Sequence, residues 1–112
     1  MKKARIVSLT ISLIIASLAF GYDGQTDNIL SLKQKAEGWH SLFDGKTLEG
    51  WNIKSGFASY QVDKGAIAGT TTPGSPNTFL CSNEEFGDFE LTIEGKFDDE
   101  FFNSGVQIRA KL

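Results

Sequence analysis

From Phe89 to Phe97 apolar and polar positions alternate. Phe89, Leu91, Ile93 and Phe97 point one way and Glu90, Thr92, Glu94 and Lys96 the other, with Gly95 interrupting. A period of two predicts a strand with one buried and one polar face. Val106, Ile108 and Ala110 alternate in the same way with Gln107, Arg109 and Lys111, which predicts a neighbouring strand. Upstream the runs are shorter and punctuated by glycine. Trp39–Phe43 predicts a first strand, and Asp44-Gly45-Lys46-Thr47 a turn in which Asp bonds its own backbone and Gly takes positive φ. Leu48–Trp51 leads into a second extended piece. Tyr60-Gln61-Val62 and Ala66-Ile67-Ala68 flank Asp63-Lys64-Gly65 as a hairpin with Gly in the left-handed position. Residues 70–77 read as a loop and Thr78–Cys81 as a short strand. Residues 22–37 are polar and aperiodic and read as a leader, with Ile29, Leu30 and Leu32 able to support one helical turn.

Seven or so short strands with turns at roughly 8–12-residue spacing predict an all-β sandwich or jelly roll. Residues 38–112 supply too few strands to close two full sheets, so they read as the N-terminal portion of a larger sandwich. An open edge after Leu112 would invite another chain to cover it.

The N-terminus changes the picture. Met1–Arg5 is positively charged, and Ile6–Phe20 is apolar apart from Ser8, Thr10, Ser12 and Ser17. A membrane span wants about 20 apolar residues, whereas a signal h-region wants about 7–15. With small residues at Ala19 and Gly21, residues 1–21 read as a cleaved signal peptide. The product is then expected in the periplasm, the cell envelope or outside the cell, with no stable membrane span after cleavage.

Charge narrows the partners. The chain carries 11 Lys+Arg against 14 Asp+Glu, and three of the cations (Lys2, Lys3, Arg5) lie in the first five residues. Removal of residues 1–21 therefore leaves eight cations against fourteen acids, which argues against nucleic acid and anionic membranes. The single Cys81 excludes an internal disulfide and a Cys-based zinc site, and reads as a buried apolar thiol because nothing basic flanks it. The single His40 neighbours Ser41, but adjacent strand residues face opposite ways, so a His–Ser pair is not expected. Trp39 and Trp51 suit either a core or a sugar-stacking surface.

Ordinary glycosidases use two carboxyls roughly 5–9.5 Å apart. Glu90 and Glu94 share a face but stand about 13 Å apart along a strand, and Glu84-Glu85 fall on a loop. What remains is a polar face: Glu90, Thr92 and Glu94 with Gln107 and Arg109 on the expected neighbour. It either binds sugar hydroxyls or is a solvated face with cross-strand ion pairs. Asn103-Ser104-Gly105 combines hydrogen-bonding groups with a close-approach glycine, and equally suits a turn.

Several of these segments, in this order, carry a resemblance. Gly38-Trp39, Leu42-Phe43-Asp44-Gly45-Lys46-Thr47-Leu48, Gly50-Trp51, Tyr60-Gln61-Val62, Phe86-Gly87-Asp88-Phe89-Glu90-Leu91 and Asn103-Ser104-Gly105-Val106-Gln107-Ile108-Arg109 resemble the domain of unknown function 1080, or 3-keto-disaccharide hydrolase, family. The resemblance implies a concanavalin-like (laminarinase-like) sandwich of about twice this length, often exported, that acts on glycosides oxidised at C3. It implies elimination and hydration, with Glu94 and Arg109 as catalytic residues and Glu90, Asn103, Ser104, Gly105 and Gln107 as substrate-binding ones. It names no certain cofactor and leaves the ketone to be polarised by Arg109 or by a divalent metal. The expected partners are a 3-keto-glycoside and the C-terminal half of the sandwich on a separate chain. The alternative is a non-catalytic carbohydrate-binding sandwich or an inactive fragment.

Overall fold

Gly65 and Lys64 both take positive φ, 77° and 46°. They form the two-residue loop of a hairpin whose register runs from Ser59 opposite Thr70 to Asp63 opposite Ala66. This mirror-image turn matches the twist of the flanking strands. The sequence pattern places the glycine correctly, and Lys64 shares its left-handed conformation.

The computed structural model describes residues 2–11, 28–97 and 104–111. Chain order is β1 (Lys2–Ile11), α1 (Leu32–Ala36), β2 (Trp39–Ser41), β3 (Trp51–Lys54), β4 (Ser59–Asp63), β5 (Ala66–Thr70), β6 (Phe79–Ser82) and β7 (Phe89–Phe97). A five-stranded sheet runs β2-β1-β5-β4 with β7 also on β1, and β3 and β6 form a second, antiparallel pair. The buried core is Phe43 and Ile67. Around it pack Trp51 of β3 and Leu80 of β6 from the small sheet, and Tyr60, Val62 and Ile93 from the large one. The core thus lies between two sheets, and the fold is an all-β sandwich.

The short elements follow the sequence. Helix α1 is capped by Ser31, whose hydroxyl accepts from the Gln34 N–H while the Gln34 side chain accepts from the Ser31 N–H. This reciprocal box sustains a helix of five residues. At the Asp44 turn one carboxylate oxygen accepts from the backbone of Lys46 and Thr47, both at 2.7 Å, and the other from the Thr47 hydroxyl. Partial desolvation opposes the charge, but these donors outweigh it and hold the Asp44 carboxyl below its ordinary value.

Two expectations are corrected. Residues 28–37 are not a bare leader: buried Asn28 donates to the Gly65 carbonyl at 2.7 Å and its side chain lies against Gly45. It ties the start of the domain to both turns. Asn28→Ala strips a buried carbonyl of its donor and is expected to cost about 1–3 kcal/mol, read as a lower urea midpoint. A loss below about 0.5 kcal/mol, the size of an ordinary surface change, would show that the tie contributes nothing.

The second correction concerns the alternation at 106–110. Residues 104–111 are irregular and exposed, with Val106 53% and Ile108 60% accessible. Arg109 has φ 54°, which breaks an extended run. A strand needs a ladder, and among the described residues the partner of β7 is β1, in parallel from Lys2 opposite Phe89 to Ile11 opposite Phe97. Residues 2–11, expected from the sequence to open a signal peptide, also pair with β2 and β5. An apolar run rich in β-branched residues meets the needs of a parallel strand as readily as those of a signal h-region, and periodicity does not separate them.

Candidate functional site

Strand β7 keeps its expected polarity. Phe89, Leu91 and Ile93 are half-buried, and Glu90, Thr92, Glu94 and Lys96 are exposed. Glu90 stands opposite Lys3 in the ladder, and its carboxylate lies 3.9 Å from the Lys3 ammonium, which also sits 5.6 Å over the Trp39 ring. Such exposed pairs contribute about 0–1 kcal/mol, so the face is wet and accessible rather than locked. Glu94 falls where the β1–β7 register shifts, between the pairs Ile6–Ile93 and Leu9–Gly95. It occupies the irregular part of the ladder, where a bulge re-aims side chains.

Arg109 reaches back to the entry of β7. Its guanidinium donates to the Gly87 carbonyl at 3.3 Å and lies 3.9 Å from the Asp88 carboxylate. The cross-strand partner foreseen on a neighbouring strand is thus replaced by a loop contact just before Glu90. Ser104, Gly105 and Gln107 are exposed in the same irregular segment. Asn103 lies outside the described residues. The structure therefore brings Arg109 to the Glu90 end of β7 and leaves Ser104, Gly105 and Gln107 open to solvent.

A second arrangement was not foreseen. His40 of β2, Trp51 of β3 and the residues after β6 meet around a cleft of about 190 Å³ lined by His40, Ser41, Gly50, Trp51, Asn83 and Glu84, among others. Hydrogen bonds join the segments around it. The Trp51 indole N–H donates to the Leu42 carbonyl at 2.8 Å, and the Asn83 N–H to the Gly50 carbonyl at 2.8 Å. The Asn52 carboxamide donates to that of Asn83. His40 stacks on Phe86, which meets Phe89 edge-on. His40 and Glu84 are 44 positions apart, so no local motif in the sequence could join them.

Cys81 is a free, half-buried thiol opposite Asn52 in the β3–β6 pair. Nearby Tyr60 donates its hydroxyl to the Thr78 carbonyl at 2.9 Å; burial first, then electrostatic repulsion from Cys81, push the phenol above its ordinary value. Among the described residues no three His, Cys, Asp or Glu side chains gather as a metal-ligand set. No described helix is long and apolar enough to cross a membrane.

Residues 38–111 match the family described as the 3-keto-alpha-glucoside-1,2-lyase-like domain. The chain belongs to this family. No curated protein and no solved structure matches it. The match to the 3-keto-alpha-glucoside-1,2-lyase-like domain begins at Gly38 and takes in β2 to β7 and the Arg109 segment. This membership supports a general sugar-hydrolase-like reading of the domain.

Proposed function

We propose that the domain acts on 3-keto-glycosides by elimination and hydration. The observation that carries this is the family match across 38–111; the accessible acidic face of β7 supports it. A ketone at C3 acidifies the hydrogen at C2. A carboxylate takes that proton, the electron pair forms the C1–C2 double bond, and the C1–O bond breaks with departure of the aglycone. Water then adds across the double bond. One base suffices, so the absence of a closely spaced carboxylate pair on β7 is no obstacle. In this reading Glu94 takes the proton at its end of β7, Arg109, held beside Gly87 and Asp88, binds a more distant sugar oxygen near the other end, and Glu90, Asn103, Ser104, Gly105 and Gln107 hold hydroxyls.

Export accords with this role. The basic Met1–Arg5 and the apolar Ile6–Phe20 support delivery of the chain to the periplasm, the envelope or the medium, and removal of residues 1–21 there would take away β1 and with it the Lys3–Glu90 pair.

The test is to offer the protein a 3-keto-glucoside and its unoxidised parent side by side and to follow aglycone release. Release from the ketone alone is expected, because only the ketone acidifies C2. Equal rates on both would indicate ordinary glycosidase chemistry. Saturable binding of the ketone without release would favour a carbohydrate-binding module.

A further inference from the structure

Removal of residues 1–21 would empty a place inside the large sheet. Strand β1 is central there: β7 runs along one edge, and β2 and β5 share the other, beside residues 3–5 and 9–11. Without β1, two strand spacings, about 9.6 Å, would separate β7 from β2 and β5. Among the described residues β1 is also the one partner of β7. Its loss strips the β7 backbone of a ladder, while Phe89, Leu91 and Ile93 still have an apolar face to cover. A replacement lies close by. Six residues after β7, the segment 104–111 alternates Val106, Ile108 and Ala110 with Gln107, Arg109 and Lys111, yet it is irregular and exposed. It returns to the start of β7, where Arg109 donates to the Gly87 carbonyl and lies 3.9 Å from the Asp88 carboxylate. Its direction is therefore already that of an antiparallel partner. Its charge also fits: Lys3 now stands beside Glu90, and the polar positions of 104–111 include two cations, Arg109 and Lys111, to take that place.

We infer that residues 2–11 and 104–111 compete for one place in the sheet, so that removal of the leader lets 104–111 enter between β7 and the edge formed by β2 and β5. There the segment gains a ladder on both sides, as β1 has in this structure, whereas the far edge of β7 offers it only one. It runs antiparallel to all three neighbours, since each of them is parallel to β1. With Val106 and Ile108 turned to the core, Gln107 and Arg109 join Glu90, Thr92 and Glu94 on one face. The leader thus keeps the polar face incomplete until it is cut off. This competition rests on the export reading above and not on the sugar chemistry.

The test uses the full chain with a specific protease site inserted after Gly21, so that residues 1–21 can be cut from the folded protein and removed by gel filtration. Amide hydrogen exchange is followed before and after. In the uncut chain 104–111 is expected to exchange freely. After removal its amides are expected to slow by about a hundredfold or more, while β7 stays protected. Ile108→Pro supplies a second readout, because proline cannot donate to a ladder. It should leave the urea midpoint of the uncut chain unchanged, since Ile108 is exposed there, and lower that of the cut chain by about 1 M or more. Free exchange of 104–111 after removal overturns the competition, whether β7 keeps its protection or loses it. Equal midpoints for the cut chain and its Ile108→Pro variant overturn it too, as does a cut leader that stays bound through gel filtration. The N-terminus of the protein recovered from its host reads export separately. An intact leader on the secreted protein overturns the export reading and leaves the competition measured on the cut chain standing.

Discussion

Phe43→Ala is expected to lower the stability of the chain by about 3–5 kcal/mol, the range for truncating a buried aromatic. Phe43 is 1% accessible, one of two fully buried large side chains among the described residues. It sits where both sheets contribute neighbours, so its loss leaves a cavity that neither sheet can close alone. The backbone cannot move in to fill it. Ser41 and Phe43 are joined through the Ser41 hydroxyl, the Leu42 carbonyl is held by the Trp51 indole, and the Asp44 turn fixes the exit. Small domains have about 5–15 kcal/mol in hand, so the variant forfeits a large share of the total. With urea slopes of about 1–3 kcal/mol per molar, the midpoint should fall by about 1 M or more. Phe57→Ala is the control: Phe57 is 60% exposed, and its truncation should stay within about 0.5 kcal/mol. Equal effects at the two positions would mean that the core does not lie between the sheets.

Most of this fold is legible in the residues. The Asp44 turn, the Lys64-Gly65 hairpin and the span of β7 follow from chemistry that acts over four to nine positions: an Asx side chain on its own backbone, glycine at positive φ, and strict alternation. Other features depend on distant partners and are silent locally. Asn28 reads as leader because its acceptor, Gly65, is 37 positions away. The 106–110 alternation is a true strand pattern, but pattern supplies only a face to bury; pairing decides whether a strand forms, and β1 holds the ladder of β7. The site divides in the same way. Periodicity suffices to place Glu90 and Glu94 on one exposed face. The Arg109–Asp88 contact and the His40–Glu84 approach come from distant segments meeting in space, for which the sequence carries no spacing rule.

Glu94→Gln is expected to reduce turnover of a 3-keto-glucoside by about 10²–10⁴-fold, the contribution of a positioned general base. Glutamine keeps the length and shape of the side chain but cannot take the C2 proton. The loss should therefore fall on kcat, with KM little changed and the urea midpoint unmoved, because Glu94 is exposed and outside the core. Glu90→Gln is the comparison on the same face. Glu90 is placed as a binding group, so its variant should raise KM more than it lowers kcat. The two carboxylates are separated by four strand positions, about 13 Å, so a single C2 proton can lie within reach of only one of them. A large kcat effect at Glu94 with a KM effect at Glu90 assigns the proton transfer to the irregular stretch of the β1–β7 ladder. The opposite split moves the base to the Arg109–Asp88 end of β7, and unchanged turnover in Glu94→Gln removes Glu94 from the chemistry altogether.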